Sequence, residues 1–359
     1  MFPYEPPEDE GPDPNEPYPG VGASLVLLVM AMIASVFTAI ALLGLGDLAA
    51  QGLGRAIGFG AVASMAIQRI PPPHALRLGL QRLEPQAIPL ILCLVPAVFL
   101  MSELDNYAYD WAPDEPSLLE NLAPPVEGTQ PASETDAAEA TPVDADEEEG
   151  TAEADAARRL IDPENPWSVL QGLILITGLV PLIDGFFFFG VLQQGLVRKL
   201  GLFQGVFFTG LFWMLVRDYP ITGATRFVVA TLSLTAMGWL LGMVRTATGT
   251  VLGPILLSSG WAAIGFVSGA YSGAIDWPGM NVEGTHLPFT LVLGSIVLVA
   301  WATSTVVGEA QRRHDVAVAQ EGPPDGRRTR TNVHELRPPI DDDDLDETQE
   351  AGRRDEEGR

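Results

Sequence analysis

Few residues in the apolar stretches of this chain have side chains able to do acid–base, nucleophilic or metal chemistry, and Asp184 and Arg217 stand out among them. An ionisable group at membrane depth is costly and as a rule either finds a partner or serves a function. The four histidines, His74, His286, His314 and His334, fall in segments expected to be loops or tail, so none is expected in a core site. The single cysteine, Cys93, lies in an apolar segment, which excludes a disulfide within the chain and a cysteine-based metal site. The run Phe186 to Phe189 could line a groove for a lipidated chain. Four aromatics in a spanning helix are more simply packing or lipid-facing surface.

The elements that must position these residues are read from the apolar pattern. Over 359 residues the apolar side chains are gathered into long blocks instead of alternating at helical or strand period. A bilayer core of roughly 30 Å requires about 20 apolar residues in a helix, because every backbone polar group there must bond internally. Seven runs meet or approach that length: Ala23 to Gly46, Ala87 to Ser102, Trp167 to Phe189, Leu202 to Val216, Phe227 to Val244, Val251 to Tyr271 and Leu287 to Val307. An eighth, about Gln51 to Ile67, is Gly-rich and carries Arg55. The expected fold class is all-α, a polytopic transmembrane bundle of about eight spanning helices.

Counting the eighth run places Arg69, Arg77, Arg82, Arg198, Lys199, Arg245, Arg312 and Arg313 on one side, which the positive-inside rule makes the cytoplasm. Both termini are then cytoplasmic and Glu103 to Asn165 lies outside, with Arg158, Arg159, Arg217 and Arg226 as exceptions. The acidic, Pro-rich, Lys-poor style fits a bacterial inner membrane. The chain divides into an acidic Pro-rich tail (1–22), three helices (23–102), an acidic loop (103–166), a helical core (167–308) and a charged cytoplasmic tail (309–359).

The formal net charge of −26 is confined to these outer segments. Ala123 to Ala156 is expected to be disordered, since Ala, Pro, Thr, Glu and Asp cannot bury enough surface to offset ordering entropy. Its acidic run could bind a cation or a partner, and it reads more simply as a solvated spacer. The only basic clusters are short, which argues against nucleic acid as a partner. The lipid bilayer is the partner implied directly.

From Pro181 the chain reads PLIDGFFFFGVLQQGLVRKLG, then FWMLVRD at Phe212 to Asp218, then LLGMVRTATGTVLGPILLSSGWAA at Leu240 to Ala263. In order and spacing this resembles the CPBP family, the CAAX-protease and bacteriocin-processing intramembrane metalloproteases. Such members carry Pro-x-x-Glu-Glu-x-x-x-Arg-Gly, then Phe-x-x-x-His, whose aromatic place Trp213 takes here, then Pro-Ile-x-x-His-x-x-x-Asn. The resemblance covers about Trp167 to Phe266, and Leu78 to Tyr107 is similar more loosely to the helix preceding the core.

Carried over position by position, the two glutamates fall on Asp184 and Gly185, the arginine on Phe189, the histidines on Arg217 and Ser258, and the asparagine on Ala262. A hydrolytic metal site of this kind needs a carboxylate and two neutral imidazoles as ligands, with a second carboxylate as base. Arg217 has donors only, and Gly185, Phe189 and Ala262 have no ligand atom in the side chain. The resemblance implies that Asp184 and Arg217 lie close together, so an ion pair is expected where metal and ligands would have been. The expected function is that of a pseudoprotease with a binding, scaffolding or regulatory role toward a membrane protein or lipidated peptide. No cofactor is expected; zinc or another divalent metal belongs only to the alternative, an active intramembrane metal-dependent endopeptidase. A transporter is the third reading, and the helices offer little polar path for one.

Overall fold

The computed structural model describes residues 18–70, 72–112, 163–217, 223–272, 274–282 and 284–321. The acidic segment Ala123 to Ala156, Asp218 and His334 lie outside the described residues. The chain divides into Met1–His314 and Asp315–Arg359, and the described part of the second unit is helical to Glu321.

Among the described residues the protein is all-helical, with one isolated bridge between Pro278 and Val282 in place of any strand. The helices are α1 (Val21–Ala41), α2 (Asp47–Ile67), α3 (Ala87–Leu92), α4 (Ala97–Trp111), α5 (Pro166–Leu200), α6 (Leu202–Leu215), α7 (Ala224–Thr248), α8 (Leu252–Ala270) and α9 (Phe289–Glu321). A turn joins α3 to α4, so that together they form one spanning unit, Ala87–Trp111. The protein is an integral multi-pass membrane protein: six helical units are long and apolar enough to cross a bilayer, namely α1, α3 with α4, α5, α7, α8 and α9.

The two remaining helices depart from the expected eight spans for different reasons. Helix α2 has the length but carries Asp47, Gln51 and Arg55. Helix α6 has 14 residues, about 21 Å at 1.5 Å per residue, and stops short of a 30 Å hydrocarbon core. Two boundaries also shift. Helix α4 runs nine residues beyond Ser102, because Glu103 turns inward and is buried, and α9 runs to Glu321, past Glu309 where the tail was expected to begin. His314 therefore sits on a helix, and His74 opens a four-residue helical turn, His74–Arg77.

Helix α5 is interrupted by π-turns at Leu173–Leu179 and Gly185–Leu192. Pro181 has no N–H to donate to the preceding turn, which favours rearrangement of the ladder there. Phe187, Phe188 and Phe189 are fully buried at the centre of the core, with Phe59 edge-on to Phe187 at 5.0 Å between centroids. The aromatic run is thus internal packing. Between helices already in lipid, close van der Waals contact supplies the association energy. Helices α6 and α7 accordingly meet backbone to backbone at Gly210 and Gly238, where an added Cβ at Gly238 would lie 2.7 Å from the Gly210 Cα.

Contacts collect most of the basic residues at one end of the bundle. Lys199 lies beside Gly20, Arg69 over Tyr18, Arg245 against the Arg77–Gly79 turn and Arg313 near Glu84. Gln193 joins α5 to α7 near this end by donating to the Gly242 carbonyl at 2.8 Å and to Thr246 at 3.0 Å. Arg226, an exception to the charge pattern, pairs with Asp105 at 2.9 Å toward the other end.

Candidate functional site

The site begins with a hairpin. Helix α5 ends at Leu200, Gly201 turns the chain with φ of +83°, and α6 returns alongside it. Asp184 lies sixteen residues before Leu200 and Arg217 sixteen after Gly201, so the antiparallel pair brings them to the same level. The shortness of α6 matters here, since its C-terminus falls inside the bundle.

Asp184 is 1% exposed and accepts three hydrogen bonds. Arg217 Nη2 donates to Oδ2 at 2.7 Å, and Arg55 donates from Nε to Oδ1 and from Nη2 to Oδ2, both at 3.0 Å. The Arg55 contact is the two-pronged guanidinium–carboxylate geometry, among the stronger hydrogen-bonded pairs. Its Nη1 also donates to the Val216 carbonyl at 2.9 Å, placing positive charge on the C-terminal end of α6. The Arg217 guanidinium stacks over Trp213 at 4.0 Å and that of Arg55 over Phe59 at 5.3 Å. Three helices, α2, α5 and α6, are thus fastened through one carboxylate.

The other matched positions are occupied by packing. Gly185 faces α8 so closely that a Cβ would lie 2.3 Å from Ile255 Cγ1. Phe189 is buried in the core, and Ser258 is buried with its hydroxyl donating to the Ile255 carbonyl at 3.1 Å. Ala262 is half-buried one turn further along α8.

These residues do not fit a hydrolytic metal. Among the described residues no three His, Cys, Asp or Glu side chains converge on a point where an ion could be held. The one carboxylate at the matched positions has both oxygens engaged by guanidinium groups, which would repel a divalent cation. His286 and His74 lie elsewhere: His74 bonds the Ile70 carbonyl, and His286 bonds Glu103 and Asp110 near the far end of α4.

The comparison with known families falls on the helices that carry Asp184, Arg217 and Ser258. Residues 166–264 match the family model for the Type II CAAX prenyl endopeptidase, Rce1-like. No curated protein and no solved structure matches the chain. The Rce1-like segment contains α5, α6, α7 and the larger part of α8, so it supplies Asp184 and Arg217 but not Arg55. Arg55 comes from α2, which is 129 positions away in sequence from Asp184. Sequence reading marks Arg55 only as a charge that weakens an apolar run. Its one available signal is that an arginine within a span needs a partner, and Asp184 is the acid that the sequence places at membrane depth.

Proposed function

We propose that this chain keeps the helical framework of the Type II CAAX endopeptidases over its Rce1-like segment without their hydrolytic centre. It acts by binding, scaffolding or regulating a membrane protein or a lipidated peptide. The observation that supports this reading is the saturation of Asp184 by Arg55 and Arg217 at the place where a metal and its ligands would be expected. A buried carboxylate that accepts three hydrogen bonds from two permanent cations is a structural tie. We propose further that both termini face the cytoplasm of a bacterial inner membrane, with the residues between α4 and α5 outside.

The test is metal analysis of the purified protein together with a cleavage assay on prenylated peptides in detergent and in nanodiscs. The expected result is less than stoichiometric zinc and no cleavage, and Arg217→His alone restores neither. The family match favours the competing reading, an active intramembrane metalloendopeptidase. Cleavage by the wild-type protein that Asp184→Ala abolishes, with the fold intact, establishes that reading and overturns ours.

A further inference from the structure

Away from the Asp184 cluster, the segment that joins α8 to α9 is strapped onto α4 by an unusual set of acid and base groups. His286 sits between two carboxylates: its Nδ1 lies 2.8 Å from Glu103 Oε1 and its Nε2 lies 2.8 Å from Asp110 Oδ2. Glu103 is buried, and its second oxygen accepts the Leu287 backbone N–H at 3.0 Å. The same segment is held a few residues earlier by Ser102 Oγ and Asn106 Nδ2, which both donate to the Gly279 carbonyl, and by Phe99 packed on Trp277. Met280, next to Gly279, forms part of the wall of a cavity of about 190 Å³ between α4 and α7. Val98, Met101, Ser102, Asp105, Val229 and Ser233 are among the other residues that line it.

A carboxylate accepts and does not donate, so His286 satisfies both neighbours only when both ring nitrogens carry a proton. A neutral imidazole has one N–H, and its other nitrogen then presents a lone pair to a carboxylate oxygen 2.8 Å away. We propose that His286 is a proton-operated latch that holds the α8–α9 segment against α4 and, with it, keeps Met280 seated in the wall of the α4–α7 cavity.

The groups facing His286 support a titration of this sign. From α4 they are Glu103, Asp110 and the Tyr107 ring, whose centroid is 4.7 Å from the imidazole. Beside them Asp105 is engaged by Arg226 of α7, whose guanidinium lies over Tyr109. His286 itself lies in the segment outside the spanning helices, and its pKa is raised above the ordinary histidine value, first by the hydrogen bond it donates to Asp110 and then by that to Glu103. A raised folded-state pKa means that the latch contributes fully below the unfolded histidine pKa and is lost as pH rises through the folded one.

The experiment uses the full chain with Cys93→Ala and Met280→Cys, reconstituted in nanodiscs, and follows maleimide labelling between pH 5.5 and 9. Rates are divided by those of a Phe289→Cys protein in the same buffers, since Phe289 is exposed and reports the thiol's own titration. The normalised rate should rise about tenfold across the range, the factor that one hydrogen bond to a charged group carries at the low end of its range. Adding His286→Gln should give fast labelling at every pH with no transition. Asp110→Asn, which leaves the buried Glu103 in place, should move the transition to lower pH. A normalised rate that is flat in the parent, or a transition unchanged by both substitutions, overturns the proposal.

Discussion

Removing the Asp184 side chain is the most direct perturbation of the bundle. In Asp184→Ala two guanidiniums, only 15% and 24% exposed, keep their charge and lose the carboxylate they share. Breaking a buried pair by removing one partner costs about 3–5 kcal/mol, because the remaining charge is left without compensation. Arg55→Ala removes two hydrogen bonds to Asp184 and the bond to Val216, yet Arg217 still neutralises the carboxylate, so a loss of about 2–4 kcal/mol follows. Arg217→Ala removes at least one bond to Asp184, about 1.5–3 kcal/mol, and the stack on Trp213, about 0.5–1 kcal/mol, which sums to about 2–4 kcal/mol. Asp184→Ala is therefore expected to be the most destabilising of the three, with Arg55→Ala and Arg217→Ala below it. In double-mutant cycles Asp184 should couple to Arg55 more strongly than to Arg217. The assay is unfolding in mixed SDS micelles followed by tryptophan fluorescence, on each single variant and both doubles. Additivity within about 0.5 kcal/mol for both pairs, the behaviour of independent sites, would refute the claim that one carboxylate fastens three helices.

Two packing predictions stand beside it. Gly185→Ala places a methyl on Ile255 and should cost about 1–3 kcal/mol, read as a shift of the unfolding midpoint, with Ile255→Ala in the same chain recovering part of the loss. Gly238→Ala forces apart the α6–α7 backbones and should cost at least as much, whereas Gly44→Ala, which meets nothing within 4 Å, should leave the midpoint unchanged or slightly raised.

What the sequence determined by itself was the class of fold and most of its helices, because a bilayer leaves the backbone no alternative to internal hydrogen bonding. A block such as Phe227 to Val244 announces its helix by length and composition alone. The motif spacing around Asp184 and Arg217 was legible for a related reason: both residues belong to one hairpin, and a fixed number of helical residues on each side of Gly201 sets their levels. Helix ends were less legible. Glu103 looks like the start of a polar loop, and only the α8–α9 segment, which supplies the Leu287 N–H and His286, makes its burial tolerable. Arg55 shows the same limit more sharply. Nothing within α2 specifies its partner, and a contact across 129 positions exists only once α2 has packed against α5. Local pattern fixes what a segment becomes in a membrane, whereas the partner of a buried charge is chosen by whichever distant segment arrives beside it, and that is decided by tertiary packing.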